Sequence, residues 1–221
     1  MASDSSSTEP RFNIASVKLC TEALGPYKRM AIWFQGCDIG CPGCCNPELQ
    51  PMVLRNIVTL SELVSMAVRS KDDFGVEGVT FIGGEPTMQV GLDRLAGSLR
   101  DEGFGTILFT GRDISELPEE LVSNLDLIID GRFDIDDPDC HRNLIGSCNQ
   151  RLIDVSGRYT DDLGWFTETR DDFIEVDLFE DGFITNGSAF RSEIHLTTYT
   201  YADPYPSGME PSFHPFAVVS Q

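Results

Sequence analysis

The chain has few basic side chains and almost no lysine. Lysine occurs only as Lys18, Lys28 and Lys71, and 36 acidic against 16 basic residues give a formal net charge of -20. So acidic a protein repels polyanions over the distances at which charge acts, which argues against nucleic acid and anionic membranes as partners. A salt-adapted host or a GC-rich genome that prefers arginine to lysine would also explain this composition.

Long apolar runs are absent as well. No run approaches the ~20 residues that a helix needs to span a bilayer. The first ten residues are polar and lack the apolar centre of a secretory signal. The count of seven cysteines is odd, so a framework of disulfides would leave one thiol over. These features together predict a cytoplasmic protein.

A second pair of closely spaced cysteines is also missing, although one short stretch holds Cys37, Cys41 and Cys44 as CxxxCxxC. A structural zinc ion usually takes four protein ligands, and Cys45 is poorly placed as a fourth because it directly follows Cys44. Three thiolates suit an iron–sulfur cluster in which one iron lacks a protein ligand and can bind a substrate. A zinc knuckle is the alternative reading.

Short apolar segments alternate with amphipathic ones along the first two thirds of the chain. Strands are predicted over 14–19, 30–35, 76–82, 106–110 and 125–130, and helices over 89–100 and 114–124. A further helix should begin at Thr59, with Glu62 completing a capping box. This alternation predicts an α/β fold with parallel strands. Each strand ends in a polar or glycine-rich turn, and the carboxyl ends of parallel strands gather at one edge, where we expect the active site.

The alternation of apolar and amphipathic segments is weaker near the two ends of the chain. We expect a disordered tail over 1–11, a core over 12–155 and an extension over 156–221 that packs on the core. Within 149–155 the pattern fits a strand or a short helix. Segments 173–179 and 182–186 resemble a hairpin around Glu180 and Asp181, and 198–221 should be irregular.

The cysteine loop, followed about 40 residues later by Gly83-Gly-Glu-Pro86 at a strand end, resembles the radical S-adenosylmethionine superfamily. The closer resemblance is to activating enzymes of glycyl-radical enzymes, especially that of anaerobic ribonucleotide reductase. It rests on Gly25-Pro26 before Arg29, on Cys-Pro-Gly-Cys before Asn46, and on Asp130-Gly-Arg-Phe133 followed by Gly146-Ser-Cys-Asn-Gln-Arg151. The resemblance implies a partial (β/α)6-type barrel with the cluster loop at the carboxyl ends of the strands.

The resemblance also implies two cofactors, a [4Fe-4S] cluster and S-adenosylmethionine. Cys37, Cys41 and Cys44 would each bind one iron, and the fourth iron would chelate the amino and carboxylate groups of S-adenosylmethionine. Further residues would contact or line the site of S-adenosylmethionine, and these are Gly43, Cys45, Gly83, Gly84, Glu85, Asp130 and Arg132.

Several of these residues have plainer interpretations. Gly83 and Gly84 could form an ordinary turn from strand to helix, Asp130 could cap a loop, and Arg132 could pair with the acidic run that follows it. The chain also departs from the related activating enzymes. It has Cys45 where they commonly have tyrosine, and Cys148 alters their Gly-Ser-Ser-Asn-Gln pattern.

The function implied is reductive cleavage of S-adenosylmethionine to a 5′-deoxyadenosyl radical, which abstracts hydrogen from a protein partner. The partner would be a glycyl-radical enzyme such as anaerobic ribonucleotide reductase, and a flavodoxin or ferredoxin would donate the electron. One alternative keeps the chemistry but modifies a peptide or small molecule. Another makes the cysteine loop a metal knuckle in a non-enzymatic interaction protein.

Overall fold

A computed structural model describes residues 8–168, 174–179 and 182–187. Within these ranges seven strands pair in one sheet and two more form a separate hairpin. The strands of the sheet are β1 (Arg11–Thr21), β2 (Arg29–Phe34), β3 (Asn56–Thr59), β4 (Gly78–Gly83), β5 (Gly105–Phe109), β6 (Leu127–Asp130) and β7 (Arg151–Asp154). The helices are α1 (Leu60–Phe74), α2 (Leu92–Asp101), α3 (Glu119–Val122) and α4 (Gly164–Thr167), and the hairpin consists of β8 (Ile174–Phe179) and β9 (Gly182–Gly187).

The order of strands across the sheet is β3-β1-β2-β4-β5-β6-β7. The four central strands β2, β4, β5 and β6 run parallel, whereas β1, β3 and β7 pair antiparallel at the edges. The predicted α/β class with parallel strands is therefore confirmed. The sheet is open, and among the described residues its parallel part has four strands, where the expected (β/α)6 pattern has six. The segment over 149–155, for which strand and short helix were both open, is the antiparallel strand β7.

Helix boundaries follow local chemistry. Thr59 caps α1 as predicted, since its side chain accepts the backbone N–H of Glu62 while the Glu62 carboxylate accepts the N–H of Thr59. The prediction of one helix over 114–124 is wrong. A 3-10 turn at Ile114–Glu116 stops before Pro118, and α3 begins after it. Proline forces the residue before it out of helical geometry, which explains the break.

The sheet is covered on both faces. On one face α1 and α2 insert Leu63, Ala67, Leu95 and Leu99 into the larger core cluster. On the other face Tyr159 and Phe166 pack with alternate side chains of the central strands, which are Ile107, Leu127 and Ile129. Residues just beyond 155 thus pack on the sheet. The predicted division at 155 stays a prediction, because much of 156–221 lies outside the described residues.

The predicted hairpin is present as β8 and β9, which pair antiparallel, and its turn at 180–181 lies outside the described residues. Glu175 on β8 ties the hairpin to the sheet, because its carboxylate accepts Thr21 Oγ1 at 2.6 Å and the N–H of Glu22 at 2.8 Å. At the other end β1 begins at Arg11, and residues 1–7 and 188–221, with most of the predicted disordered tail and all of the predicted irregular tail, lie outside the described residues. No helix in the described ranges is long and apolar enough to cross a membrane.

Arg29 is a fully buried cation at the amino ends of the parallel strands. Its guanidinium donates to Thr80 Oγ1 at 2.7 Å, the Tyr159 hydroxyl at 2.7 Å and the carbonyls of Val79 and Gly105 at 2.9 and 3.0 Å. Burial lowers its pKa, and the Tyr159 hydroxyl counteracts this shift. Arg29 therefore joins three strands at the edge opposite the cysteine loop.

Two glycines make room for this side chain. A Cβ on Gly78 would lie 2.5 Å from Arg29 Nη1, and a Cβ on Gly25 would lie 2.9 Å from Arg29 Cδ. The Gly25-Pro26 and Arg29 motif is thus explained by packing, and it lies at the opposite end of β2 from the cysteine loop.

We expect Arg29→Met to lower the free energy of unfolding by about 3 kcal/mol or more, because buried acceptors lose charged donors. Chemical denaturation of the metal-free protein measures this. Arg94→Met changes an exposed arginine of α2 in the same way and should have little effect. Equal midpoints for the two variants would show that Arg29 is dispensable.

Candidate functional site

The carboxyl ends of the four parallel strands lie at one edge of the sheet. The segments predicted to form the site follow these strand ends. The register pairs Phe34 at the end of β2 with Gly83 at the end of β4, so the cysteine loop and the Gly83–Pro86 turn start side by side. The cysteine loop is closed at its base by two hydrogen bonds, from the N–H of Gly36 to Leu49 O at 2.8 Å and from the N–H of Cys37 to Gln50 O at 3.0 Å.

Gly84 lies directly against the base of the cysteine loop. A Cβ on Gly84 would lie 2.2 Å from the carbonyl oxygen of Gly36 and 2.8 Å from that of Leu49. On Gly83, where φ is +118°, a Cβ would lie 2.5 Å from the nitrogen of Phe34. The N–H groups of Gly84 and Glu85 continue the pairing by donating to Phe34 O and Gly36 O at 2.9 and 2.8 Å. Both glycines are therefore required for close contact between backbones.

Glu85 is 1% exposed and cross-links the ends of β4 and β5. Its Oε1 accepts Thr87 Oγ1 at 2.6 Å and Thr110 Oγ1 at 2.8 Å, and its Oε2 accepts the N–H of Gly111 at 2.9 Å. Hydrogen bonds from neutral donors satisfy most of the acceptor capacity of this buried carboxylate, as burial requires. The structure thus gives Glu85 a role in joining two strand ends.

Asp130 is fully buried at the end of β6 and pairs with Arg151 on β7. Its Oδ1 accepts Arg151 Nε at 2.9 Å, and its Oδ2 accepts Arg151 Nη2 and, at 2.8 Å, the N–H of Ile114. Asp130 and Arg132 have different neighbours, because Gly131, with a φ of +105°, turns the chain directly after the end of β6.

Arg132 instead contacts the cysteine loop, donating from Nη2 to the carbonyl oxygen of Ile39 at 3.1 Å. Two neighbours reach the same loop. Phe133 lies beside Cys41, and Ile135 covers Gly43, where an added Cβ would lie 2.4 Å from Ile135 Cδ1. Residues 132–135 therefore form a wall along one side of the loop.

A cleft with a volume of about 300 Å³ separates part of this wall from the loop. The residues around it are Ile39, Gly40, Cys41, Pro42, Arg132, Phe133, Asp134, Ile135, Asp136 and Asn149. It brings the middle cysteine and one cationic side chain to the same open space. A polar small molecule could therefore bind beside Cys41.

The Gly146–Arg151 motif holds the wall in place. Asn149 Nδ2 donates to Arg132 O at 2.8 Å, Gln150 Nε2 donates to Gly131 O at 3.0 Å, and Ser147 Oγ accepts the N–H of Asp134 at 3.0 Å. Cys148, where this chain departs from the related pattern, is exposed. A cysteine at position 148 therefore does not disturb the hydrogen bonds that Ser147, Asn149 and Gln150 make with the wall.

The three cysteines of the loop are half-buried, whereas Cys45 is exposed. Hydrogen bonds from the Cys45 thiol and the N–H of Asn46 lower the pKa of Cys44 to about 6, against the effect of burial. Burial raises the pKa of Cys41, which the N–H of Phe133 partly offsets. The hydrogen bond between Cys45 and Cys44 raises the pKa of Cys45. The lowered pKa of Cys44 favours its thiolate, the form in which a cysteine binds metals.

No three His, Cys, Asp or Glu side chains within the described ranges converge on one metal ion. A [4Fe-4S] cluster does not require its ligands to converge on one metal ion, because each cysteine binds a separate iron. Three half-buried thiols on one loop, with the N–H of Asn46 donating to the Cys44 sulfur at 3.4 Å, fit such a cluster.

Asp38, Thr87, Thr110 and Arg112 also belong to this edge, although the sequence did not single them out. Arg112 follows β5 and pairs with Asp38 of the cysteine loop at 2.6 Å. The Asp38 carboxylate raises the pKa of Arg112. Their position after strand ends was a usable signal, but no motif distinguishes them from other surface residues.

The chain is similar to one known protein family and to several characterised enzymes. Residues 23–153, more than half of the chain, match the family model described as a 4Fe-4S single cluster domain. The pyruvate formate-lyase-activating enzyme of Streptococcus mutans is 30% identical over 151 residues, which cover 63% of this chain and 57% of that enzyme. The enzyme of the same name from Staphylococcus aureus is 30% identical over 160 residues, covering 67% and 63%. The chain thus spans less than two thirds of the length of these relatives.

Among solved structures, QueE from Escherichia coli matches with a TM-score of 0.41 and 16% identity, over 54% of this chain and 71% of that one. A likeness this distant carries no argument about the site.

We expect Gly84→Ala to destabilise the protein by about 1–3 kcal/mol and to displace the cysteine loop, because the new methyl group meets backbone that cannot rotate away. Thermal unfolding measures the first effect, and accessibility of Cys37 to a thiol reagent measures the second. Gly97→Ala is the control, since its nearest neighbour is the Asn124 side chain at 3.3 Å. Unchanged stability in Gly84→Ala would contradict the close approach.

Asp130→Asn should lower the free energy of unfolding by about 2 kcal/mol in the metal-free protein. This is less than for a fully buried ion pair, because Arg151 is half exposed. Asp113 also pairs with Arg151 but is itself half exposed, so Asp113→Asn should cost much less. If Asp130→Asn unfolds at the wild-type denaturant concentration, the carboxylate has no structural role and contact with a cofactor becomes the better explanation.

Proposed function

Because the chain belongs to the family of 4Fe-4S single cluster domains, and with it to the radical S-adenosylmethionine superfamily, we propose that it activates a glycyl-radical enzyme. Membership confirms the resemblance read from the motifs and its two cofactors, the [4Fe-4S] cluster and S-adenosylmethionine. The observation that carries the proposal is the loop with Cys37, Cys41 and Cys44, placed at the carboxyl edge of four parallel strands and held there by contacts from β4, β5 and β6.

In this proposal Cys37, Cys41 and Cys44 hold the cluster. When bound, the cluster would supply the electron for reductive cleavage of S-adenosylmethionine, the chemistry by which the protein would generate a radical on its partner. Gly83 and Gly84 keep the turn after β4 against the loop base, and Glu85 fixes the next strand end beside them. The protein thereby sets the distance between the loop and its neighbours before any ligand binds.

S-adenosylmethionine would bind from the side of the cleft beside Cys41. Arg132 is the cation available there for its carboxylate, while its present bond to Ile39 O keeps it near the loop. Gly43 and Cys45 flank the last ligand and would border the same space. Asp130 would act indirectly, by anchoring the start of the wall through Arg151.

The identity of the partner is part of the proposal. The relatives named above activate pyruvate formate-lyase, whereas the motifs most resemble activating enzymes of anaerobic ribonucleotide reductase; both partners are glycyl-radical enzymes. A flavodoxin or ferredoxin as electron donor and a cytoplasmic location stay predictions from the sequence.

Anaerobic reconstitution of the full chain tests this function. We expect a brown protein with about four irons per chain. With a low-potential reductant it should form 5′-deoxyadenosine, and with the partner it should produce a glycyl radical detectable by electron paramagnetic resonance. Cys41→Ala should fold normally but lose cluster and cleavage. Cys20→Ala, which removes a half-buried thiol from β1, should keep both.

The outcomes separate the alternatives. Cleavage of S-adenosylmethionine without a radical on any glycyl-radical enzyme would favour modification of a peptide or small molecule. A colourless protein that contains zinc alone, together with a Cys41→Ala variant that fails to fold, would favour the non-enzymatic metal knuckle.

A further inference from the structure

The segment from Cys37 to Cys44 has little internal structure to fix its position. Within it, and all of it is described, the N–H of Cys44 to Cys41 O at 3.3 Å is the sole hydrogen bond between backbone groups. Its glycines Gly40 and Gly43 both have positive φ, at 65° and 69°. A loop of this kind keeps its position through contacts with neighbouring segments.

Arg112 makes the strongest polar contact with this segment. Its Nη2 lies 2.8 and 2.6 Å from the two carboxylate oxygens of Asp38, the residue that follows Cys37. The two side chains are 27% and 43% exposed, so solvent only partly screens the pair. The adjacent Gly111 lets Ile39 pack closely, since an added Cβ would lie 3.1 Å from Ile39 Cγ2.

Arg112 is itself held from several directions. Its Nε donates to Thr87 Oγ1 at 3.0 Å, its N–H donates to Thr110 Oγ1 at 3.1 Å, and its carbonyl accepts the N–H of Gly131 at 3.1 Å. Both threonine hydroxyls donate to Oε1 of Glu85. A connected chain of contacts therefore runs from Asp38 through Arg112 to the buried carboxylate after β4.

We propose that Arg112 is a positioning residue for the cluster loop, acting through Asp38; this rests on the proposed function. Arg112 ligates no metal. Its charge and its rigid, multiply bonded guanidinium keep Cys37 at a set distance from the turn that begins at Gly83. Residues outside the ligand set that orient the ligands change metal affinity by roughly 10- to 100-fold when they are removed.

Two measurements on the full chain test this inference. In the metal-free protein, hydrogen exchange at the hydrogen-bonded amides of Cys37 and Cys44 should be about fivefold faster in Arg112→Gln, as expected from loss of a partly buried ion pair. In the reconstituted protein, release of iron to a chelator should be on the order of tenfold faster in Arg112→Gln and in Asp38→Asn. The double variant should release iron no faster than either single variant, because both remove the same contact.

Conservative variants and controls separate positioning from general stability. Arg112→Lys keeps the charge and should recover part of the slow release, and the midpoint of thermal unfolding should stay close to wild type in all these variants. Arg94→Gln makes the same change on the exposed surface of α2 and should match wild type in both measurements.

Wild-type exchange in Arg112→Gln, or additive effects in the double variant, would overturn the inference. A wild-type protein that takes up no cluster would overturn the proposed function instead, and hydrogen exchange in the metal-free protein would still decide the role of Arg112.

Discussion

The contact between the backbones of Gly84 and Gly36 is the constraint on which the site depends. At 2.2 Å from Gly36 O to the position a Cβ would take, the turn after β4 leaves no space for a side chain. Hydrogen bonds from Gly84 and Glu85 then extend the pairing of β2 with β4 past the end of the sheet. The base of the cysteine loop is thereby built as a continuation of two central strands, whose buried side chains belong to the larger core cluster.

Beyond this base the cysteine loop is held on two opposite sides by different means. On one side the ion pair between Arg112 and Asp38 links it to the ends of β4 and β5. On the other side Arg132, Phe133 and Ile135 contact it, and the polar side chains of 147–150 hold that wall by its backbone. The Gly146–Arg151 motif therefore contributes to the site without reaching it. Such indirect support is how a protein keeps a metal-binding loop in one geometry before the metal arrives.

Much of the fold could be predicted because each central strand is a short apolar run between turn signals, and because Thr59 and Glu62 form a local capping box. The prediction of one helix over 114–124 was wrong because it followed the helical periodicity across Pro118, and proline interrupts helices. The antiparallel edges could not be predicted, since a half-buried strand has the same alternation whichever way its neighbour runs. The three cysteines of the loop and Gly83–Glu85 were singled out from spacing, whereas the contact of Arg112 with Asp38 was not, because it joins residues 74 apart in the chain.

By itself the sequence determined the spacing of the three cysteines and the family, because three cysteines within eight residues must share one loop whatever the fold around them. Only the tertiary structure decided what the other expected site residues do. Asp130 and Arg132 are two residues apart, yet one is buried against Arg151 and the other lies along the cysteine loop. Which partner a charged side chain meets depends on the strands that pack beside it, and that neighbourhood is a property of the folded chain.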